Sequence, residues 1–166
     1  DDVLAREFEL RRTVPFEDDS LALVLPCRTD WKWVPLVSDT KGHHNRMVSL
    51  ARAEAPGEPE VAVEVKYILL HREVRLEDWV DYFFGVQGMA ACAGQLGEYE
   101  SRTVLDTVVE YRAEDGRPFV GRLAFFKNAD RIWLTAGTAP REKYERWARE
   151  FGVAAVGAGP RQPRAG

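Results

Sequence analysis

The feature that most constrains the fold of this chain is an immediate change from one residue periodicity to another. Over residues 61–71 apolar side chains recur at every second position, with Glu64 and Lys66 between them. This alternation is typical of a β-strand with one buried face. The apolar spacing then changes to i, i+3, i+4, i+7 and i+8, as in a helix that faces a core: Leu76, Trp79, Val80, Phe83 and Phe84. The sequence therefore predicts a long strand followed by a packed helix.

Shorter strands are predicted on the N-terminal side of this unit. Residues 7–13, 20–25 and 46–53 have the composition of strands, and the apolar run 20–25 is too short for a helix. Residues 31–36 also alternate but contain Pro35. Because proline is tolerated in a sheet only at its edges, we predict a short edge segment there.

The C-terminal half is predicted to contain an antiparallel meander and a second helix. Residues 102–112, 118–127 and 131–136 alternate and are separated by turn sequences. The second helix is expected to start near Thr138–Pro140, with a threonine cap and a proline in the first turn. Its expected buried stripe is Tyr144, Trp147, Ala148 and Phe151.

The order of these elements predicts the α+β class. Hairpin-linked strands favour an antiparallel sheet of about six or seven strands, flanked by two main helices, over a doubly wound parallel sheet. A chain of 166 residues has the length of one domain. We expect a single domain over residues 1–157 and a disordered tail over residues 158–166, which are rich in glycine and proline.

Charge and hydropathy disfavour two classes of partner. The 23 basic and 27 acidic residues are well mixed, so nucleic-acid binding has little electrostatic support. No apolar stretch approaches the roughly 20 residues of a membrane span. Residues 1–7 lack the basic start and apolar run of a signal peptide, and we expect that a leader was removed or trimmed.

The pattern of elements resembles the PsbP-like family, an α/β/α sandwich shared with the Mog-like proteins. Four stretches carry the likeness: residues 21–26 with Trp31, the strand and helix over 61–84, the meander 104–136, and the closing helix 144–151. Members of this family are mostly non-enzymatic, so the resemblance implies a protein that binds a protein partner or assists assembly of a complex. It also implies a periplasmic or otherwise extracytoplasmic location, with the cytoplasm as the alternative.

Few residues suggest catalysis or metal binding. Adjacent His43 and His44 cannot easily chelate one ion from the same side, so neither a metal nor another cofactor is predicted. Cys92 has small apolar neighbours, which favour a structural thiol over a nucleophile that acts with a distant histidine. Cys27 and Cys92 could form one disulfide or remain two thiols.

The aromatic residues suggest binding. Trp31 and Trp33 lie on one side of a short segment, where they either cover an edge of the core or form an exposed anchor for a partner. We predict a partner-binding site of Trp31, Trp33, His43 and His44 in a non-catalytic accessory or adaptor domain.

An alternative function is a carrier or sensor of a small apolar ligand or lipid. This hypothesis predicts a cavity between sheet and helix, lined by residues such as Phe83, Tyr111 and Phe125. The sequence leaves the oligomeric state open.

Overall fold

A seven-stranded antiparallel sheet forms the centre of the structure, a computed structural model. The structure describes the backbone of residues 6–9, 12–16, 19–24, 27–28, 30–34, 47–99, 102–157 and 159–161, and the side chains of residues 6–7, 30–34, 47–89 and 103–157. The strand order of the large sheet is β5-β6-β7-β11-β10-β9-β8, and two small sheets pair β1 with β4 and order β12-β3-β2. The strands are β1 (Phe8–Glu9), β2 (Arg12–Phe16), β3 (Asp19–Val24), β4 (Cys27–Arg28), β5 (Lys32–Val34), β6 (Met47–Ala55), β7 (Glu58–Leu69), β8 (Ala90–Tyr99), β9 (Arg102–Arg112), β10 (Pro118–Asn128), β11 (Arg131–Pro140) and β12 (Gly159–Arg161); the helices are α1 (Leu76–Gln87) and α2 (Tyr144–Gly157).

The chain path explains where α1 lies. Strands β6 and β7 form a hairpin through Pro56-Gly57, where Gly57 adopts the positive φ of 69° that this tight turn requires. After β7 the chain crosses through α1 to β8 at the far edge, and the meander β8-β9-β10-β11 returns to pair with β7. The crossing helix therefore packs on strands of the meander as well as on its neighbours in sequence.

The two helices cover opposite faces of the sheet. Phe125 of β10 lies under α1 and contacts Trp79, Phe83 and Phe84, with ring centroids 5.7 to 6.1 Å apart. The next residue, Phe126, points to the other side and belongs to the core cluster that α2 covers. Because successive side chains of a strand alternate between faces, this arrangement is the predicted α/β/α sandwich.

The alternation predicted for residues 61–71 is confirmed over most of that run. Val61, Val63, Val65 and Tyr67 are fully buried in the core cluster under α2. Glu64 and Lys66 lie on the opposite face of the same strand, together with Ile68. One face of β7 is thus wholly apolar, while the other carries charge in the middle of the sheet.

The second helix begins later than the cap signal predicts. Thr138 and Pro140 belong to β11, where Thr138 pairs with Ala62 and Pro140 pairs with Phe119. Pairing of β11 with β7 and β10 extends the strand through the local cap sequence, and α2 starts at Tyr144. The predicted stripe nevertheless packs on the core, with Phe151 buried and Trp147 half-buried.

Two further elements were not predicted. Ala90–Tyr99 forms β8, which pairs along its length with β9 at the edge of the large sheet. Gly159–Arg161 forms β12 and pairs with β3, so the disorder predicted for residues 158–166 is wrong for these three residues. Residues 31–36 do supply an edge strand, β5, over Lys32–Val34.

Candidate functional site

Helix α1 covers only part of its face of the sheet. Its 12 residues make α1 about 18 Å long, whereas seven strands span about 29 Å at the usual spacing. The helix ends at Gly88, whose φ of 64° allows its N–H to cap the carbonyl of Phe84. Two clefts flank the helix as a result, and both border on Met47, Phe83 and Gln87.

The larger cleft, here called the helix cleft, has a volume of about 610 Å³. It lies between α1 and the end of β7. Its walls are mostly apolar, and a polar rim closes one side. The apolar walls are formed by Met47, Ile68, Leu70, Val74, Trp79, Phe83, Tyr82 and Val86, and the rim by His71, Arg72, Asp78 and Gln87.

Two residues of α1 extend this apolar surface into solvent. Tyr82 is 68% exposed and Val86 is 62% exposed. They are four residues apart and therefore adjacent on the helix surface. Trp79 stacks on Phe83 behind them, with ring centroids 5.2 Å apart. The helix cleft and the exposed side chains of Tyr82 and Val86 together form one apolar surface, on a helix whose charged residues are all acidic.

The smaller cleft, here called the sheet cleft, has a volume of about 450 Å³ and a mixed lining. Its floor is the part of the sheet that α1 leaves uncovered. Its apolar lining residues are Met47, Phe83, Met89, Phe119, Leu123, Leu134 and Ala136. Its polar lining residues, here together called the polar end, are Arg52, Glu60, Glu64, Lys66, Tyr111 and Thr138.

Glu64 is the centre of the polar end. It forms an ion pair with Arg52, accepts a hydrogen bond from Ser49 Oγ at 3.1 Å and lies 3.5 Å from Lys66 Nζ. Burial by itself would raise the pKa of Glu64. The charges of Lys66 and Arg52 and the hydrogen bonds from Arg52 and Ser49 outweigh burial and hold the pKa below its ordinary value. These contacts thus keep Glu64 in its charged form.

Neutral hydroxyl groups complete this end of the cleft. Burial raises the pKa of Tyr111, whose phenol is hydrogen-bonded with the Thr138 side chain, so the phenol stays protonated at neutral pH. The Tyr111 ring packs on Phe119 with centroids 5.7 Å apart. The Tyr111 ring therefore forms part of the cleft wall, and its hydroxyl belongs to the polar end.

A second set of ion pairs closes the outer rim. Lys143 Nζ lies 2.9 Å from Glu60 and 3.1 Å from Glu58, and Arg117 lies 3.7 Å from Glu60. The hydrogen bond from Lys143 is the main cause that lowers the pKa of Glu60. These contacts tie the start of β7 to the turn before α2.

The residues predicted to bind a partner lie elsewhere. Trp31 is only 4% exposed and contacts Trp147 edge to face, with centroids 5.4 Å apart, in the core under α2. Trp33 is half-buried and packs against the same cluster. This placement fits the covering role and not an exposed anchor at Trp31, while binding through Trp33 stays a prediction. His43 and His44 lie outside the described residues.

The alternative cavity hypothesis names two residues that line the sheet cleft, Phe83 and Tyr111. Phe125 is fully buried beneath α1 instead. Sequence reasoning missed the charged wall of Arg52 and Lys66. The signal was available, since charged residues at alternate positions of β7 mark a part of the sheet that no helix covers.

Two findings on the described residues concern metal binding and membrane crossing. Among the residues whose side chains are described, no three histidine, cysteine, aspartate or glutamate groups come together as a metal site. Within the same residues, neither helix is long and apolar enough to cross a membrane. The side chains of Cys27 and Cys92 lie outside the described set, so the choice between one disulfide and two thiols stays open.

The fold is that of a PsbP-like α/β/α sandwich. Cyanobacterial PsbP (CyanoP) from Synechocystis sp. PCC 6803 matches with a TM-score of 0.62 and 9% identity over 94% of each chain. A protein of unknown function from Pseudomonas aeruginosa, PA94, provisionally described as a regulator, matches with a TM-score of 0.60 and 10% identity over 93% of this chain and 100% of its own. No protein-family model matches, and no curated protein matches in sequence. The likeness confirms the predicted fold; at this identity it concerns the fold alone.

Proposed function

We propose that this protein is a non-catalytic binding module that docks a protein partner on the α1 face, through the helix cleft. The observation that carries the proposal is the exposure of Tyr82 and Val86 at the mouth of an apolar cleft. The other exposed positions of α1 are Asp78, Asp81, Gly85 and Gln87, none of which carries a large apolar side chain. Large apolar side chains that join a cleft on such a surface are typical of an interaction site.

The chemistry of the cleft defines the partner. Tyrosine and tryptophan are enriched in binding hot spots, and here Tyr82 stands beside the half-open cleft that Trp79 lines. The polar lining carries both signs, with Arg72 and Asp78. A partner segment that inserts one or two apolar side chains and places polar groups around them would match this surface.

The resemblance to the PsbP-like family supports the same class of function by analogy. On that analogy the protein works as an accessory or adaptor in the bacterial envelope, outside the cytoplasm. Fractionation of cells that express the native gene tests the location, and recovery in the cytoplasmic fraction alone would contradict it.

Docking is tested with the double variant Tyr82→Ser/Val86→Ser. Its matched control is Val156→Ser, because Val156 is 47% exposed on α2, on the opposite face. Wild type and control, cross-linked in native extract, should capture the same partner, and the double variant should lose it. With that partner purified, calorimetry should show at least tenfold weaker binding by the double variant. Equal binding by all three proteins would overturn the proposal, provided that thermal denaturation shows all three to be folded.

A further inference from the structure

The geometry points to a second site: we infer that the sheet cleft binds an amphipathic carboxylic acid, with the carboxylate at Lys66 and the apolar chain between α1 and the sheet. This inference does not depend on protein docking, which uses the helix cleft. It commits the cleft to one ligand class, a single-chain acid of the fatty-acid type.

The shape of the cleft favours such a ligand. Its volume of about 450 Å³ lies in the range of small-molecule sites, which extends from roughly 300 to 1,000 Å³. The apolar floor is formed by Leu123 and Leu134, and the flexible side chains of Met47 and Met89 lie at its sides. The charged lining residues lie on β6 and β7 and most of the apolar ones on β10, β11 and α1, which matches a molecule with one apolar chain and one polar head.

Charge at the polar end selects the head group. Glu64 is already bound by Arg52 and Ser49, and Glu60 is bound by Lys143 at 2.9 Å. Within the described residues, the one acceptor near Lys66 Nζ is Glu64 at 3.5 Å. An ammonium group has three donors, so Lys66 retains capacity for an anionic ligand.

The neighbours of Lys66 bear on this capacity. Glu64 is shared by Arg52, which also pairs with Glu54 at 3.6 Å, and by Lys66, whose contact with Glu64 is the longer of the two. Lys66 is thus the less closely paired cation. Burial would raise the pKa of Glu64, but the two cations and the hydrogen bonds from Arg52 and Ser49 hold it below its ordinary value. The hydroxyl groups of Tyr111 and Thr138 line the same end and offer neutral hydrogen-bonding groups to a second carboxylate oxygen.

Other ligand classes fit less well. An uncharged apolar ligand would cover Lys66, whose side chain is 32% exposed, and remove it from water with Glu64 as its one charged partner among the described residues. A cationic head would face Lys66 and Arg52 directly. A carboxylate avoids both costs.

The probe is dodecanoate below its micelle-forming concentration, with its methyl ester as the uncharged counterpart, in titration calorimetry on the full chain. We expect saturable one-to-one binding of the acid and at least tenfold weaker binding of the ester. Lys66→Gln should weaken binding of the acid at least tenfold and leave the ester unchanged. Lys32→Gln, at an exposed lysine of β5 outside both clefts, should bind the acid as wild type does.

Three results would overturn the inference: absence of saturable binding by wild type, equal affinity for acid and ester, or unchanged affinity in Lys66→Gln. The double variant Tyr82→Ser/Val86→Ser separates the two sites. It should retain dodecanoate binding even though partner docking is lost. Loss of dodecanoate binding in that variant would place the acid in the helix cleft and contradict the assignment to the sheet cleft.

Discussion

The two faces of the central sheet use the same strands but are closed to different degrees. On the α2 face, Phe151 is buried and approaches the sheet so closely that a Cβ added at Gly137 would lie 2.4 Å from its ring. Trp133 packs between Tyr67 and Phe126 on the same face, with centroids 5.3 and 6.3 Å away. Helix α2 and the sheet are thus in direct contact, and even a methyl group added at Gly137 would not fit between them.

The α1 face has the opposite character. The helix packs over Phe125, but clefts of about 610 and 450 Å³ remain beside it. Charged side chains such as Glu64 and Lys66 lie on the open part of the sheet. We therefore expect truncation on the α2 face to cost more stability than truncation of the exposed side chains on the α1 face, which has surface available for binding.

Truncation of the α2 core is expected to have the largest effect. Phe151→Ala removes a fully buried ring and leaves a cavity, which should lower the free energy of unfolding by about 3–5 kcal/mol. Val86→Ala on α1 should change it by less than about 0.5 kcal/mol, because Val86 is exposed. Urea denaturation measures both. Similar losses of unfolding free energy in the two variants would contradict the proposed difference between the two faces.

A smaller effect is expected at the contact between α2 and β11. Gly137→Ala forces its new methyl group into the Phe151 ring and should lower the free energy of unfolding by about 1–3 kcal/mol. Gly85→Ala is the control on α1, where the new methyl group meets open space. Alanine in a helix should stabilise by about 0.5–1 kcal/mol. Thermal or urea denaturation should thus show shifts of opposite sign, and stabilisation by Gly137→Ala would contradict the close approach of α2.

Much of this fold is predictable from local patterns because those patterns agree with the tertiary contacts. The alternation of β7 and the stripe of α1 each report directly which side chains are buried. Local signals fail where pairing across the sheet decides. Alanine and glycine dominate β8 and have little strand preference, so its conformation depends on pairing with β9. The cap signal at Thr138 likewise yields to pairing of β11 on both sides.

The clefts are harder to predict than the fold. They arise because a short helix crosses a wide sheet, which is a relation between distant segments and not a local pattern. Phe83 and Tyr111 could be named from apolar spacing, but Arg52 and Lys66 join them only through the pairing of β6 with β7. Trp31 shows the converse: an aromatic residue outside any helix stripe can still be buried, here by Trp147 of α2.

The smallest effect concerns the polar end of the α1 face and depends on pH. The pKa of Glu64 is lowered in the folded state, so its charged form stabilises the fold. This contribution is present above the unfolded pKa near 4.5 and is lost as the pH falls through the lower folded value. Glu64→Gln cannot titrate and should be less stable than wild type by about 1 kcal/mol at pH 7. The difference should shrink below pH 4.5.

Denaturation curves from pH 7 down to pH 3 measure this difference, with Glu114→Gln as the control. Glu114 is exposed on the turn between β9 and β10, and its variant should follow wild type at every pH. Phe151→Ala should lose the same free energy at pH 7 and pH 4, because no charge is involved. A gap between wild type and Glu64→Gln that widens on acidification would mean that burial outweighs Arg52 and Lys66 and raises the pKa of Glu64.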